Sequence, residues 1–164
     1  MIELTKNIES HYITSYGEEI SEVICYIVDR TIENDPFQDF IFSTKDYNYF
    51  FDSIKINKNN FEKLPFHDAN NIMASAIIKE VKYDEHFMSW EKGKEYLKVF
   101  LNNLENIEEI YTNSFWEKNK IDNTNIDEFS LIAWTGISHN YWYDYGFVIV
   151  TPTKIGVLWF GDDS

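Results

Sequence analysis

Residues 143–161 read YDYGFVIVTPTKIGVLWFG, and this stretch decides the fold class. Two runs rich in β-branched and aromatic residues, 143–151 and 154–161, meet at the link Thr151-Pro152-Thr153-Lys154. Such side chains fit a pleated surface, and Pro152 sits where a type I turn wants the fixed φ of proline. The two runs therefore form a hairpin. Phe147 and Ile149 fall on one face and Val148 and Val150 on the other, so both faces are apolar. A sheet open to water on one side alternates apolar with polar residues. This one needs helices on one face and further cover, or a partner, on the other.

Upstream, FSLIAWTG at residues 129–136 has the same composition and predicts a third strand. Before a switch between Ile121 and Asp127 the spacing turns helical. Ser15 with Glu18 has the capping-box pattern, and Ile20, Val23, Ile24, Ile27 and Val28 recur as one helix face would. Asp35, Pro36 and Gln38 read as an N-cap, a pre-set first turn and an N3 amide, with Phe37, Phe40 and Ile41 facing inward. Thr44 can cap a further turn carrying Tyr47, Phe50, Phe51 and Ile54. Residues 55–65 read as a loop. Ile72, Met73, Ala76 and Ile77 follow Asp68 as a candidate cap. Ser89 can cap the clearest stripe, Tyr96, Leu97, Phe100, Leu101 and Leu104. Ile107, Ile110, Tyr111 and Phe115 either follow a break near 102–106 or continue that helix. The expected architecture is α+β, a helical N-terminal two-thirds (1–120) packed on a C-terminal antiparallel sheet of three or more strands (128–164), in one domain spanning 1–164.

Composition bounds the function. Against 14 basic side chains stand 28 acidic ones, a formal charge of −14, which excludes a duplex-DNA-binding module. Aromatic residues make up 18% of the chain, too many for a disordered acidic tail. Arg30 is the one arginine, and with abundant Lys, Asn and Ile it matches the residue usage of an AT-rich bacterial or phage genome. No basic-then-apolar leader and no membrane-length apolar run is present, so cytoplasmic residence is expected. The lone Cys25, between Ile24 and Ile27, reads as core packing.

Catalytic spacings are missing. His11, His67, His86 and His139 form no HxxxH, HExxH or HxH pair, and the six glycines form no phosphate-cradling loop, so no metal or cofactor is expected. His139 lies five residues before Asp144, a spacing in which a base and an orienting carboxylate can be imagined, but no nucleophile accompanies them. What stands out is the conjunction of acidity with aromatic crowding. Tyr141, Trp142, Tyr143, Asp144 and Tyr145, with Asp162 and Asp163, combine flat amphipathic rings with carboxylates. That is the chemistry of a docking surface for a basic partner. Trp134 and Trp159 read as core, and Tyr141 and Trp142 as either core or exposed.

A small, acidic, cysteine-poor chain ending in GFVIVTPTKIGVLWFGDDS resembles the immunity proteins encoded beside bacterial polymorphic toxins, including contact-dependent inhibition systems. The resemblance rests on overall character, on that hairpin with its Trp159 and on the acidic end. It implies a specific inhibitor of one cognate toxin, often a nuclease whose basic surface is neutralised by carboxylates, with no direct nucleic-acid or membrane partner. Two other classes remain. An acidic nucleic-acid mimic acting against a defence system would align its carboxylates like phosphates. A small enzyme would use His139, Asp144 and further carboxylates.

Overall fold

A computed structural model describes residues 1–4, 21–31, 33, 35–80, 85, 86, 88–119 and 127–162. Numbered along the chain, the strands are β1 (Ile2–Glu3), β2 (Ser21–Asp29), β3 (Glu62–Lys63), β4 (Lys79–Glu80), β5 (Glu85–His86), β6 (Glu109–Thr112), β7 (Ser114–Lys118), β8 (Phe129–Trp134), β9 (Tyr143–Val150) and β10 (Lys154–Asp162). The α-helices are α1 (Pro36–Ser43), α2 (Phe66–Ile78) and α3 (Trp90–Leu101). The capping box at Ser15 and Glu18, with Ile20, lies outside the described residues.

The hairpin forms at the centre, with β9 and β10 antiparallel from Val150↔Ile155 to Tyr143↔Asp162. Thr151 holds the turn, its hydroxyl accepting from the Lys154 N–H at 2.8 Å. Around this hairpin the strand order is β1-β2-β10-β9-β6-β3. The expectation of a helical N-terminal two-thirds on a C-terminal sheet is overturned. Among the described residues the helices are three and short, and segments from the first two-thirds supply strands on both sides of the hairpin. Residues 21–29, whose spacing suggested a helix, are a nine-residue strand running the whole length of β10, Asp29↔Lys154 to Ser21↔Asp162. The physical reason is burial on both faces. Val23 to Ile27 are all buried, so the apolar run satisfies helix and strand templates alike, and the β-branched content decides. Residues 109–118 are likewise β6 and β7 rather than helix.

The expected third strand does not join the hairpin. β8 instead pairs with β7 in a separate ribbon carrying a bulge between Phe115 and Trp116. The first residue of β8 is already occupied along its outer edge: the Phe129 N–H donates to Ser75 Oγ at 2.9 Å and its carbonyl accepts from Lys79 Nζ at 2.6 Å.

Both sheet faces are covered by the chain itself. On one face Val23, Cys25, Ile27, Phe147, Ile149, Leu158 and Phe160 pack against Ile72, Met73 and Ile77 of α2, Leu97 and Phe100 of α3, and Trp116 and Phe129 of the ribbon. Cys25 is buried, as its apolar flanks indicate, and burial raises its thiol pKa well above the ordinary value. On the other face α1 and the turns after it close over Ile24, Tyr26, Val148, Val157 and Trp159. Trp159 is ringed there by Phe40, Phe51 and Phe61 at centroid distances of 6.0, 5.7 and 6.1 Å. α1 starts where the Asp35-Pro36 pair places it, and α3 where Ser89 caps it. α2 begins at Phe66 behind Pro65, two residues before the Asp68 expected to cap it.

Candidate functional site

The candidate residues converge on one end of the sheet, where β9 begins and β10 ends, but the strand period sends them in different directions. Asp144 points into the aromatic face and is 2% exposed. Its Oδ1 accepts from the Ile137 N–H (2.8 Å) and the Trp159 indole N–H (3.2 Å), and its Oδ2 from the Ser138 N–H (3.0 Å). A carboxylate with three buried donors organises the loop before β9 and is not offered to a partner. Tyr145 points to the opposite face and stacks on Phe160 at 5.4 Å, fully inside the protein. Asp162 is buried too. The docking role expected for these three is corrected: the 137–138 loop and Trp159 close over Asp144, Phe160 and Trp116 pack on Tyr145, and Asp162 is 3% exposed. Asp163 lies outside the described residues.

Three of the predicted residues remain at the surface. Trp142 is 78% exposed. Tyr143 is half-buried, its ring stacked on Trp134 at 4.7 Å, and the Trp134 indole N–H donates to the Trp142 carbonyl at 3.3 Å. Trp134 is thus a half-buried wall of the site, unlike the core residue Trp159. Tyr141 leans on Phe50 at 5.0 Å, and its hydroxyl donates to Glu22 Oε2 at 2.8 Å. Glu22 also accepts from the hydroxyl of Tyr49, a ring that is 61% exposed. No spacing rule finds Glu22 or Tyr49, because Glu22 and Tyr141 stand 119 positions apart and only the β2–β10–β9 register unites them.

His139 and Asp144 do not form a base and its orienter. The His139 Nε2–H donates to the Asn48 carbonyl at 3.0 Å, and Nδ1 lies 3.8 Å from Asp52 Oδ2. Asp144 is already engaged by the three donors above. Among the described residues, no group of three or more His, Cys, Asp or Glu is placed to hold a metal ion. Nor does any described helix have the length and apolarity to cross a membrane.

Beside Trp134 an open groove of about 260 Å³ runs between the 58–60 turn with β3 and the β6–β7 corner with the end of β8. Asn113 fixes that corner. Its amide donates to the carbonyls of Thr135 (2.8 Å) and Asp144 (3.0 Å), while its Oδ1 accepts from the Gly146 N–H (3.0 Å). The groove is therefore rigidly joined to the loop that presents Trp142.

A second charged group lies under the β7–β8 ribbon. Lys79 and Glu128, both nearly inaccessible, pair at 3.0 Å, and half-exposed His86 meets the same carboxylate. Burial pushes the Glu128 carboxyl up, but hydrogen bonds from His86 and Lys79 and the lysine charge outweigh it and hold the group below its ordinary value. Its bonds to Lys79 of β4 and His86 of β5 tie that strand pair to the ribbon. Compared with protein-family models, curated proteins and solved structures, the chain gave no match.

Proposed function

We propose that this chain is an immunity protein, acting in the bacterial cytoplasm, that binds one cognate toxin domain and blocks it by steric and electrostatic occlusion without turnover. The observation that carries the reading is Trp142, an aromatic ring 78% exposed at the end of the sheet of a protein with net charge −14. Trp and Tyr supply large rigid contact area at little entropic cost and dominate interface energetics. Here Tyr141 and Tyr143 flank Trp142, Tyr49 joins Tyr141 through the shared Glu22 carboxylate, and Asp52 adds a second carboxylate beside His139. A partner that works on nucleic acid carries a basic surface, which an acidic protein finds quickly and covers.

The nucleic-acid mimic is less well supported. A mimic needs an unbroken row of carboxylates, whereas Asp29, Asp35 and Glu109 are each paired with a lysine. The test is co-expression with the C-terminal domain of the neighbouring long reading frame. Growth should be rescued, the purified pair should associate, and Trp142→Ala should weaken binding by about 30-fold. Absence of both rescue and association would sink the proposal.

A further inference from the structure

The groove beside Trp134 has a lining that an aromatic docking surface alone does not require. Glu62 stands exposed on its rim, and among the described residues it makes no ion pair. The lysines nearest to it in the chain pair with other carboxylates: Lys63 with Glu109 at 2.9 Å and Lys58 with Asp35 at 3.2 Å. Among the described residues no cation lines the groove. The lining also holds Phe115, 53% exposed, and half-buried Trp134, and the exposed side chains of Asn59, Asn60 and Thr135 add neutral oxygens.

These groups select among ligand classes. An anion would meet Glu62 with nothing to offset the repulsion. A purely apolar group would strip water from the carboxylate and amides and leave them unpaired. An ammonium would gain the carboxylate but holds its own hydration tightly. A guanidinium satisfies every part of the lining: two parallel N–H donors for a carboxylate, further donors for amide oxygens, and a weakly hydrated plane for aromatic rings.

We infer that this groove is a guanidinium subsite that receives an arginine side chain of the partner, an assignment that rests on reading the chain as an inhibitor of a basic domain. Its position agrees with that role. Trp134 lines it and also bonds the Trp142 carbonyl, so the groove adjoins the Trp142 anchor.

The test uses the free chain. N-acetyl-arginine amide is titrated in an NMR experiment, with the lysine and citrulline counterparts as controls for charge and shape. The arginine probe should give saturable shifts at Asn59, Asn60, Phe115 and the Trp134 indole, with affinity about tenfold above either control. Glu62→Gln should remove most of that preference, and Phe115→Leu, which leaves the carboxylate in place, should reduce it about threefold. Absence of saturable shifts, equal affinity for lysine and arginine, or an unchanged preference in Glu62→Gln would each overturn the assignment. A chain that binds the arginine probe yet protects against no toxin retires the inhibitor reading and leaves the guanidinium site standing. One that protects against a toxin but ignores the probe retires the site alone.

Discussion

Asp144 and Trp142 are two positions apart and have opposite roles. In YWYDY both belong to one run of rings and carboxylates, and nothing in the run tells which side chain turns inward. The strand period alone would put both on one face, but Trp142 precedes β9 and escapes the pleat, while the partners that capture Asp144 come from the loop at Ile137 and Ser138 and from Trp159 on the next strand. Replacing Asp144 by Ala leaves three buried donors without an acceptor. Since a bond to a charged group is worth more than a neutral one, the cost should be about 3 kcal/mol or more in urea denaturation. Wild-type stability in Asp144→Ala would show that water readily replaces the carboxylate. The charge of Asp144 thus serves the fold, and reversing it would report on folding rather than on docking. Trp142→Ala should by contrast change stability by no more than about 0.5 kcal/mol, which lets its effect on binding be read cleanly.

At the scale of elements, what could be read from the sequence was what is encoded locally. α1 is specified by three neighbouring residues, and the structure places Asp35 where it caps: its Oδ1 accepts from the Phe37 N–H at 2.8 Å. The β9–β10 hairpin is equally local, because its turn and both strands are contiguous. β2 was not legible, since a run buried on both faces shows no alternation and its partner β10 lies at the far end of the chain. β8 was legible as a strand but not in its pairing, which depends on Ser75 and Lys79 occupying its edge. The cap at Asp35 gives a prediction with a definite pH sign. The Phe37 N–H, then Lys58, holds the Asp35 carboxyl below its ordinary value of 3.8. A depressed carboxyl contributes stability that is present above the unfolded-state pKa and is lost as pH falls through the folded-state one. Asp35→Ala should therefore cost about 1 kcal/mol near neutral pH, and its deficit relative to wild type should shrink once pH drops below 3.8. A deficit that stays constant into acid would mean that the Asp35 charge is not what stabilises α1.

For the whole molecule, the excess of 28 acids over 14 bases acts on the fold and on the partner with opposite signs. Within the free chain, like charges repel, so the compact state is held against a field that screening weakens. Between this chain and a basic domain, the same field accelerates encounter, and screening removes the advantage. The Debye length falls from about 10 Å at 0.1 M salt to about 3 Å at 1 M, enough to suppress both effects over the same range. Sodium chloride should therefore raise the melting temperature of the free protein while slowing its association with the cognate domain by about tenfold or more. Scanning calorimetry and stopped-flow mixing measure the two on one preparation. The ion pairs oppose the first effect, but those at Lys154–Asp29 and Lys58–Asp35 are exposed and worth little, and Lys79–Glu128 is buried where salt penetrates poorly. A melting temperature that falls with salt would show that pairing outweighs repulsion in this fold. An association rate indifferent to salt would show that the acidity does not guide docking, leaving Trp142 and its neighbouring rings to account for recognition alone.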